Sequence, residues 1–495
     1  MIQRKAVHLC LGLLLTTTVL ADSRKDVLDI LNQSASVIGS EDAKSWRIFF
    51  DACLEITPPP MTTGDPLSMK TVWPGMFQWQ EVAMWAAQNE HMEAAFLVSA
   101  KRALVGLPYG SEEVPANYLE HGIVAEIGVD GQLHRLDFGY INMVELACLW
   151  ATAETYRLFE EGDNDRAIKL MLSELVVLRM FCDREFLKEQ LTFMPMLGDA
   201  LSNTRDVFYT YRESILTPKF RAIAKEAIPY LRTDPTRLLM PDGDRIVGEA
   251  IIKDLFDTVG EADPDKFREV LTDIQSDLEP LTRFGAARHW EEIALKHHRG
   301  RDDSLKRLNL IYDDWWRRWK MRAFHPQLKI DTELKKSNSV KYAAVNLVIR
   351  DIQELFKQRD LVATEINGTA VAAALCGYKN HFGVFPARIK MLYAQLLHRM
   401  SNLDPFKSLS LRPQKSGVPS DWTLYSASVG PLQYRQIEDK LKIKTKSGDV
   451  WVDQNESLLY SVAIDDEDNR GLNAATDMIL WPPLKTLKRN AGLLD

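Results

Sequence analysis

What the sequence lacks removes most of the chemistry that can be read locally. Gly-x-Ser-x-Gly and Ser-x-x-Lys are absent, so no nucleophile motif is present. The phosphate-cradling Gly-x-x-x-x-Gly-Lys loop is missing as well. There are 5 cysteines in 495 residues and no Cys-x-x-Cys pair, which gives zinc and dithiol redox chemistry no support. Positive charge is not in excess: 61 Lys and Arg face 69 Asp and Glu, a net −8. Nucleic-acid binding needs clustered basic residues and is disfavoured. No apolar run reaches the ~20 residues that cross a bilayer.

What is present is an ordinary globular composition, 46% hydrophobic and 26% charged, long enough for two or three domains. Residues 1–21 follow the plan of a secretory signal peptide. Arg4 and Lys5 precede an apolar run from Ala6 to Leu20, and Val19-Leu20-Ala21 is a small-residue cleavage pattern. The expected location is therefore periplasmic or extracellular, with no membrane span after cleavage. Losing Arg4 and Lys5 takes the balance from −8 to −10. In an oxidising compartment Cys148 and Cys182 could bridge facing helices, though an inert buried thiol fits each apolar helical setting equally well.

The fold class expected is mainly α with a C-terminal α+β module. Residues 22–232 read as an irregular helical bundle. Trp46, Phe49, Phe50 and Cys53 mark one face of a helix over about 25–56, which Pro58-Pro59-Pro60 ends. A β-hairpin is expected over about 123–138, around Asp130-Gly131, a dipeptide that tolerates positive φ. Two helices should meet at Glu161-Gly162-Asp163. These helix pairs weakly resemble tetratricopeptide units, but their copies do not repeat at 34 residues. Residues 233–339 form a second helical segment with linkers, and a further helix should run from about 340 to 379, with Val345, Val348, Ile349 and Ile352 as its sheet-facing stripe.

Two clusters invite a catalytic or binding reading. His289, Glu292, His297 and His298 lack the spacing of a zinc protease and read as surface charge. Trp315, Trp316 and Trp319 could stack on sugars, but Trp315 and Trp319, four apart, read as helix core anchors.

Beyond residue 379 the period changes from helix to strand. The order of Gly383 to Pro386, Asp404-Pro405-Phe406, Leu459-Tyr460-Ser461 and an acidic loop ending in Asp477-Met478-Ile479 resembles the globular core of the major pseudopilin of type II secretion. The resemblance covers residues 340–483, within an expected C-terminal domain of 340–495. Leu-Tyr-Ser also occurs at Leu424 to Ser426. The chain carries about 300 other residues ahead of this part, so the resemblance implies a reused module. In that family the loop after the Tyr-Ser strand binds calcium. The metal ligands that the resemblance implies are Asp465 and Asp477, and Asp466 or Asp468 of the same loop could assist. The physical reading agrees, because calcium takes six to eight oxygens at about 2.3–2.6 Å and crowded carboxylates repel each other without a cation. The function expected is an exported, non-catalytic binding or scaffold protein, tied to cell-surface assembly or secretion, with a protein or cell-surface partner. The alternative is a secreted hydrolase whose active site is assembled from distant residues.

Overall fold

The computed structural model describes residues 23–61, 66–232, 238–257, 259–270, 296–321, 324–409, 428–462 and 468–494. The proposed signal peptide, His289, Glu292, Leu424 to Ser426, Asp465 and Asp466 lie outside the described residues.

The first half is helical. Helices α1 (residues 23–31), α2 (Trp46–Leu54), α3 (Trp79–Gln88), α4 (His91–Ser99) and α5 (Ala116–Glu120) pack around three longer ones. These are α6 (Tyr140–Glu160), α7 (Asn164–Phe181) and α8 (Leu187–Thr210). The helix expected over 25–56 is broken between α1 and α2. Just past α1 the Asn32 amide donates to the Tyr109 carbonyl at 3.0 Å and accepts from the Tyr109 N–H at 2.8 Å.

The turn between α6 and α7 falls at Glu161-Gly162-Asp163 as expected, with Gly162 at φ +82°. The hairpin is smaller than expected. Strands β1 (Glu126–Ile127) and β2 (Leu136–Asp137) pair antiparallel over two residues each. Asp130 and Gly131 do adopt positive φ, 56° and 79°, but inside a loop of residues 128–135 instead of a tight turn.

Short helices α9 (Thr217–Ala222) and α10 (Ile228–Tyr230) follow, joined by a π-turn, then α11 (Gly243–Asp254), α12 (residues 264–270) and α13 (Arg301–Trp319). The helix expected over 340–379 is two elements, α14 (Ala343–Val348) and α15 (Gln353–Phe382). Ile349 turns extended, and the Asp351 carboxylate accepts the Gln353 N–H at 3.0 Å to restart the helix. The expected stripe therefore faces elsewhere. Val345 is fully buried on α14, which packs on α11 and α13, and the nearest neighbour of Gly248 on α11 is Val348. The sheet is met instead by α15.

Helix α15 is the centre of the molecule. It lies along α8 and also touches α9 and the C-terminal strands. From Ala370 to Cys376 every residue is buried, as expected for a helix that is apolar all round. A β-carbon on Gly368 would sit 2.6 Å from a methyl of Leu480, so only glycine lets helix and strand approach this closely.

The C-terminal part holds small antiparallel sheets. Strand β3 (Leu403–Leu409) pairs with β4 (Ser428–Pro431). A three-stranded sheet runs in the order β5 (Gln433–Gln436), β8 (Ser457–Ser461), β9 (Met478–Trp481). A hairpin is formed by β6 (Leu441–Thr445) and β7 (Gly448–Val452). Alternation along β8 and β9 divides the side chains between two cores. Leu459, Leu480 and Trp481 join the helical core, whereas Leu458, Tyr460 and Ile479 join a small cluster with Ile443, Val450 and Leu487. The closing helix α16 (Leu484–Asn490) returns to α8. The molecule is thus mainly α with small antiparallel C-terminal sheets. No described helix is long and apolar enough to cross a membrane.

Candidate functional site

The acidic loop begins where β8 ends. There Asp404, fully buried at the start of β3, accepts the Ser461 hydroxyl at 2.8 Å and the N–H groups of Val462 at 3.2 Å and Phe406 at 3.1 Å. Burial pushes its carboxyl above the usual range, against these hydrogen bonds. Asp404 was not singled out in the sequence as a member of the loop. Its Asp-Pro-Phe setting carried the resemblance but no hint that it anchors the end of β8.

Asp477 precedes β9 and is 1% exposed. One carboxylate oxygen accepts the Gly471 N–H at 2.8 Å and the other the Asn469 N–H at 3.4 Å. Gly471 sits at φ +71°, and a β-carbon there would meet Leu458 at 2.7 Å, so the loop closes over the sheet only with glycine. Asp468 is more open. It accepts the Arg470 N–H and the Tyr460 hydroxyl, both at 2.9 Å, and the Lys407 ammonium stands 3.7 Å away. Burial opposes its ionisation, but these partners outweigh it and hold the carboxyl below its ordinary value. Asp468 and Asp477 are therefore brought to one loop, and Asp465 and Asp466 fall outside the described residues. Among the described residues no three His, Cys, Asp or Glu side chains gather as a metal-binding group. Asp477 fits the calcium reading only through lone pairs not already facing backbone N–H groups.

Two buried polar nodes escaped sequence reasoning because their members are far apart. In the first, Glu189 accepts the hydroxyls of Tyr109 at 2.8 Å and Tyr140 at 2.6 Å and the Arg184 guanidinium at 3.0 Å. Arg184 also donates to the Leu107 carbonyl at 2.6 Å and stacks 4.1 Å from the Tyr109 ring. Burial drives both tyrosines far above their ordinary pKa. All four side chains are 1% exposed or less, so no substrate reaches them.

The second node joins the C-terminus to α8. Asp206 accepts the Tyr156 hydroxyl at 2.7 Å, the Thr486 hydroxyl and the Arg489 guanidinium at 3.2 Å. The Lys485 ammonium donates to the carbonyls of Val72 at 2.7 Å and Met69 at 3.2 Å and to the Asn203 amide oxygen at 2.8 Å. Its three protons are thereby matched by three acceptors. Burial pushes its pKa down to about 8, against the attraction of Asp206.

A cavity of about 380 Å³ opens between the hairpin loop, α11 and α12. Leu133, Ile251, Leu255 and Val270 supply its apolar wall, with Asp254, Lys266 and Glu269 among its charged lining. Burial raises the Asp254 carboxyl, which accepts the Ser23 hydroxyl at 3.1 Å.

The other sequence candidates are structural or solvated. Trp315 and Trp319 are buried anchors, and the Trp319 ring N–H donates to the Leu238 carbonyl at 2.9 Å. His297 is exposed and His298 stands edge-on to Phe256. Cys53, Cys148, Cys182 and Cys376 are free and buried, so the bridge considered for Cys148 and Cys182 is not formed. Burial pushes the Cys182 thiol up to about 12, which leaves no thiolate at neutral pH.

No family model matches this chain. No curated protein and no solved structure matches it either.

Proposed function

We propose that this is an exported, non-catalytic binding or scaffold protein whose C-terminal module is of pseudopilin type. The observation that carries the reading is how the most deeply buried charges are used. Arg184 and Glu189 tie the segment at Leu107 and Tyr109 to α8. Lys485, Thr486 and Arg489 tie the C-terminal helix to α8 and to residues 69–72. Catalytic groups need perturbed pKa values and access to a substrate together. These groups have burial without access, and what they supply is a rigid frame.

The acidic loop is read as the calcium site of that module, with Asp465 and Asp477 as the principal side-chain ligands and Asp466 or Asp468 assisting. The partner is a protein or a cell-surface component. Support comes from the loop's position directly after β8 and from the closure of its end by Asp477.

Sequencing the N-terminus of the mature protein tests the export reading, with cleavage after Ala21 expected. An intact Met1 start recovered from a soluble cytoplasmic fraction would overturn it. Turnover of ester, peptide or glycoside substrates by purified protein, abolished by a single substitution lining the cavity, would overturn the non-catalytic reading.

A further inference from the structure

The stretch after the central helix differs in charge from the rest of the chain. Between Glu365 and Asp404 there is no acidic residue, yet Lys379, Arg388, Lys390 and Arg399 occur, with His381 and His398, in a chain of net charge −8. Some exposed cations pair with an acid on their own segment, as Arg317 does with Asp314 and Lys335 with Asp331. Among the described residues Arg388, Lys390 and Arg399 form no ion pair, although all three are exposed.

Three of these groups converge. Lys390, His398 and Arg399 line one recess, about 740 Å³ in volume, together with Tyr393, Ala394 and Leu397. Arg399 lies 6.0 Å from the Tyr393 ring. Beside the two rim cations in sequence stand Met391, 49% exposed, and Met400, 56% exposed. Methionine is the side chain that adapts best to varied apolar partners.

We propose that this recess is a docking surface for an acidic segment of a partner protein, one that carries an apolar side chain flanked by carboxylates. Charge complementarity selects the class of partner, because Lys390, His398 and Arg399 form no ion pair among the described residues. Shape selects a peptide over a bilayer. The recess is concave and built on two short 3₁₀ turns, Ile389–Leu392 and Arg399–Asn402, whereas a membrane surface takes the long apolar face of an amphipathic helix. The apolar side chain would rest on Tyr393, Ala394 and Leu397, and its carboxylates would face Lys390 and Arg399. Rim charges of this kind accelerate encounter and make binding sensitive to salt. The proposal rests on the reading of the protein as one that works by binding, and does not involve the acidic loop.

The test is selection of a displayed library of random peptides, about twelve residues long, on the full mature chain, followed by affinity measurement of the selected peptides. Enrichment in Asp and Glu around an aliphatic or aromatic residue is expected. Affinity should fall about tenfold or more in the double variant Lys390→Glu, Arg399→Glu, and should weaken with added salt. Both positions are exposed, so the melting temperature of the variant should match that of the unaltered protein. Acidic peptides that bind the variant undiminished would remove the recess while leaving a binding protein. Selection of no peptide, with vesicles rich in phosphatidylglycerol binding instead, would overturn the choice of partner.

Discussion

Glu174, on α7, offers a test in which a charge is removed and stability rises. It is 3% exposed, its only described hydrogen bond is a long one, 3.4 Å, from the Thr152 hydroxyl, and it has no ion pair among the described residues. Burial pushes its pKa up to about 8 from an ordinary 4.5, against the small opposing effect of Thr152. The sign follows from linkage. Below pH 4.5 the carboxyl is protonated in both folded and unfolded chains and costs nothing. As pH rises toward 8 the unfolded chain releases its proton and the folded chain keeps it, so stability falls. At pH 7 the interval above 4.5 is about 2.5 units, and at about 1.4 kcal/mol per unit the loss is about 3 kcal/mol. Glu174→Gln keeps the shape, holds the neutral state permanently and removes that loss. At about 2.1 cal/mol/K per residue over roughly 470 residues the entropy of melting is about 1 kcal/mol/K, so the variant should melt about 3 °C higher at pH 7. Calorimetry of the mature chain at pH 5 and pH 8 is the assay. The two proteins should nearly coincide at pH 5 and diverge by pH 8. A variant that melts lower at pH 7, or a difference that does not grow with pH, would refute the account of Glu174 as an unpaired buried acid.

Lys485→Met should destabilise by about 2–4 kcal/mol, because the acceptors at Met69, Val72 and Asn203 lose their donor while relief of the buried ammonium offsets only part; urea unfolding measures this. Gly368→Ala should lower stability by about 1–3 kcal/mol, since the new methyl enters the space of Leu480, and thermal melting will show a net loss even after the gain in helix propensity. Calcium at a hundredfold excess over Kd should stabilise the protein by about 2.7 kcal/mol relative to chelator, and magnesium by less. Asp465→Ala and Asp477→Ala should abolish that response. Asp477→Ala should also melt lower without calcium, because the Gly471 and Asn469 N–H groups lose their acceptor. A melting point indifferent to calcium would leave the loop closed by hydrogen bonds alone.

Local signals were legible where local chemistry decides the outcome. Gly162 can adopt positive φ at no steric cost, and it turns the chain between α6 and α7. Trp315 and Trp319 share a face through helical spacing and are core. The change from helix to strand beyond α15 could be read from period alone. Contacts made at a distance were not legible: Asn32 pairs with Tyr109 just past the end of α1, and α14 packs against α11 and α13 instead of continuing into α15. The acidic loop shows a subtler limit. A carboxylate that accepts two backbone N–H groups and one that ligates an ion look the same in a sequence. The geometry of Asp477 was needed to reveal the first role.

The place of α15 between α8 and the C-terminal strands has a consequence for how the chain is made. The face of α8 that α15 covers stays wet until residues 353–382 have left the ribosome, and its contact with α16 waits for residues 484–490. Domains ordinarily condense one after another from the N-terminus during synthesis, at roughly 5–20 residues per second. Here the early helices cannot complete their burial until the last ones arrive. In a nascent chain of this design that face of α8 stays open until residue 382, more than three quarters of the way along the 495 residues, has been made.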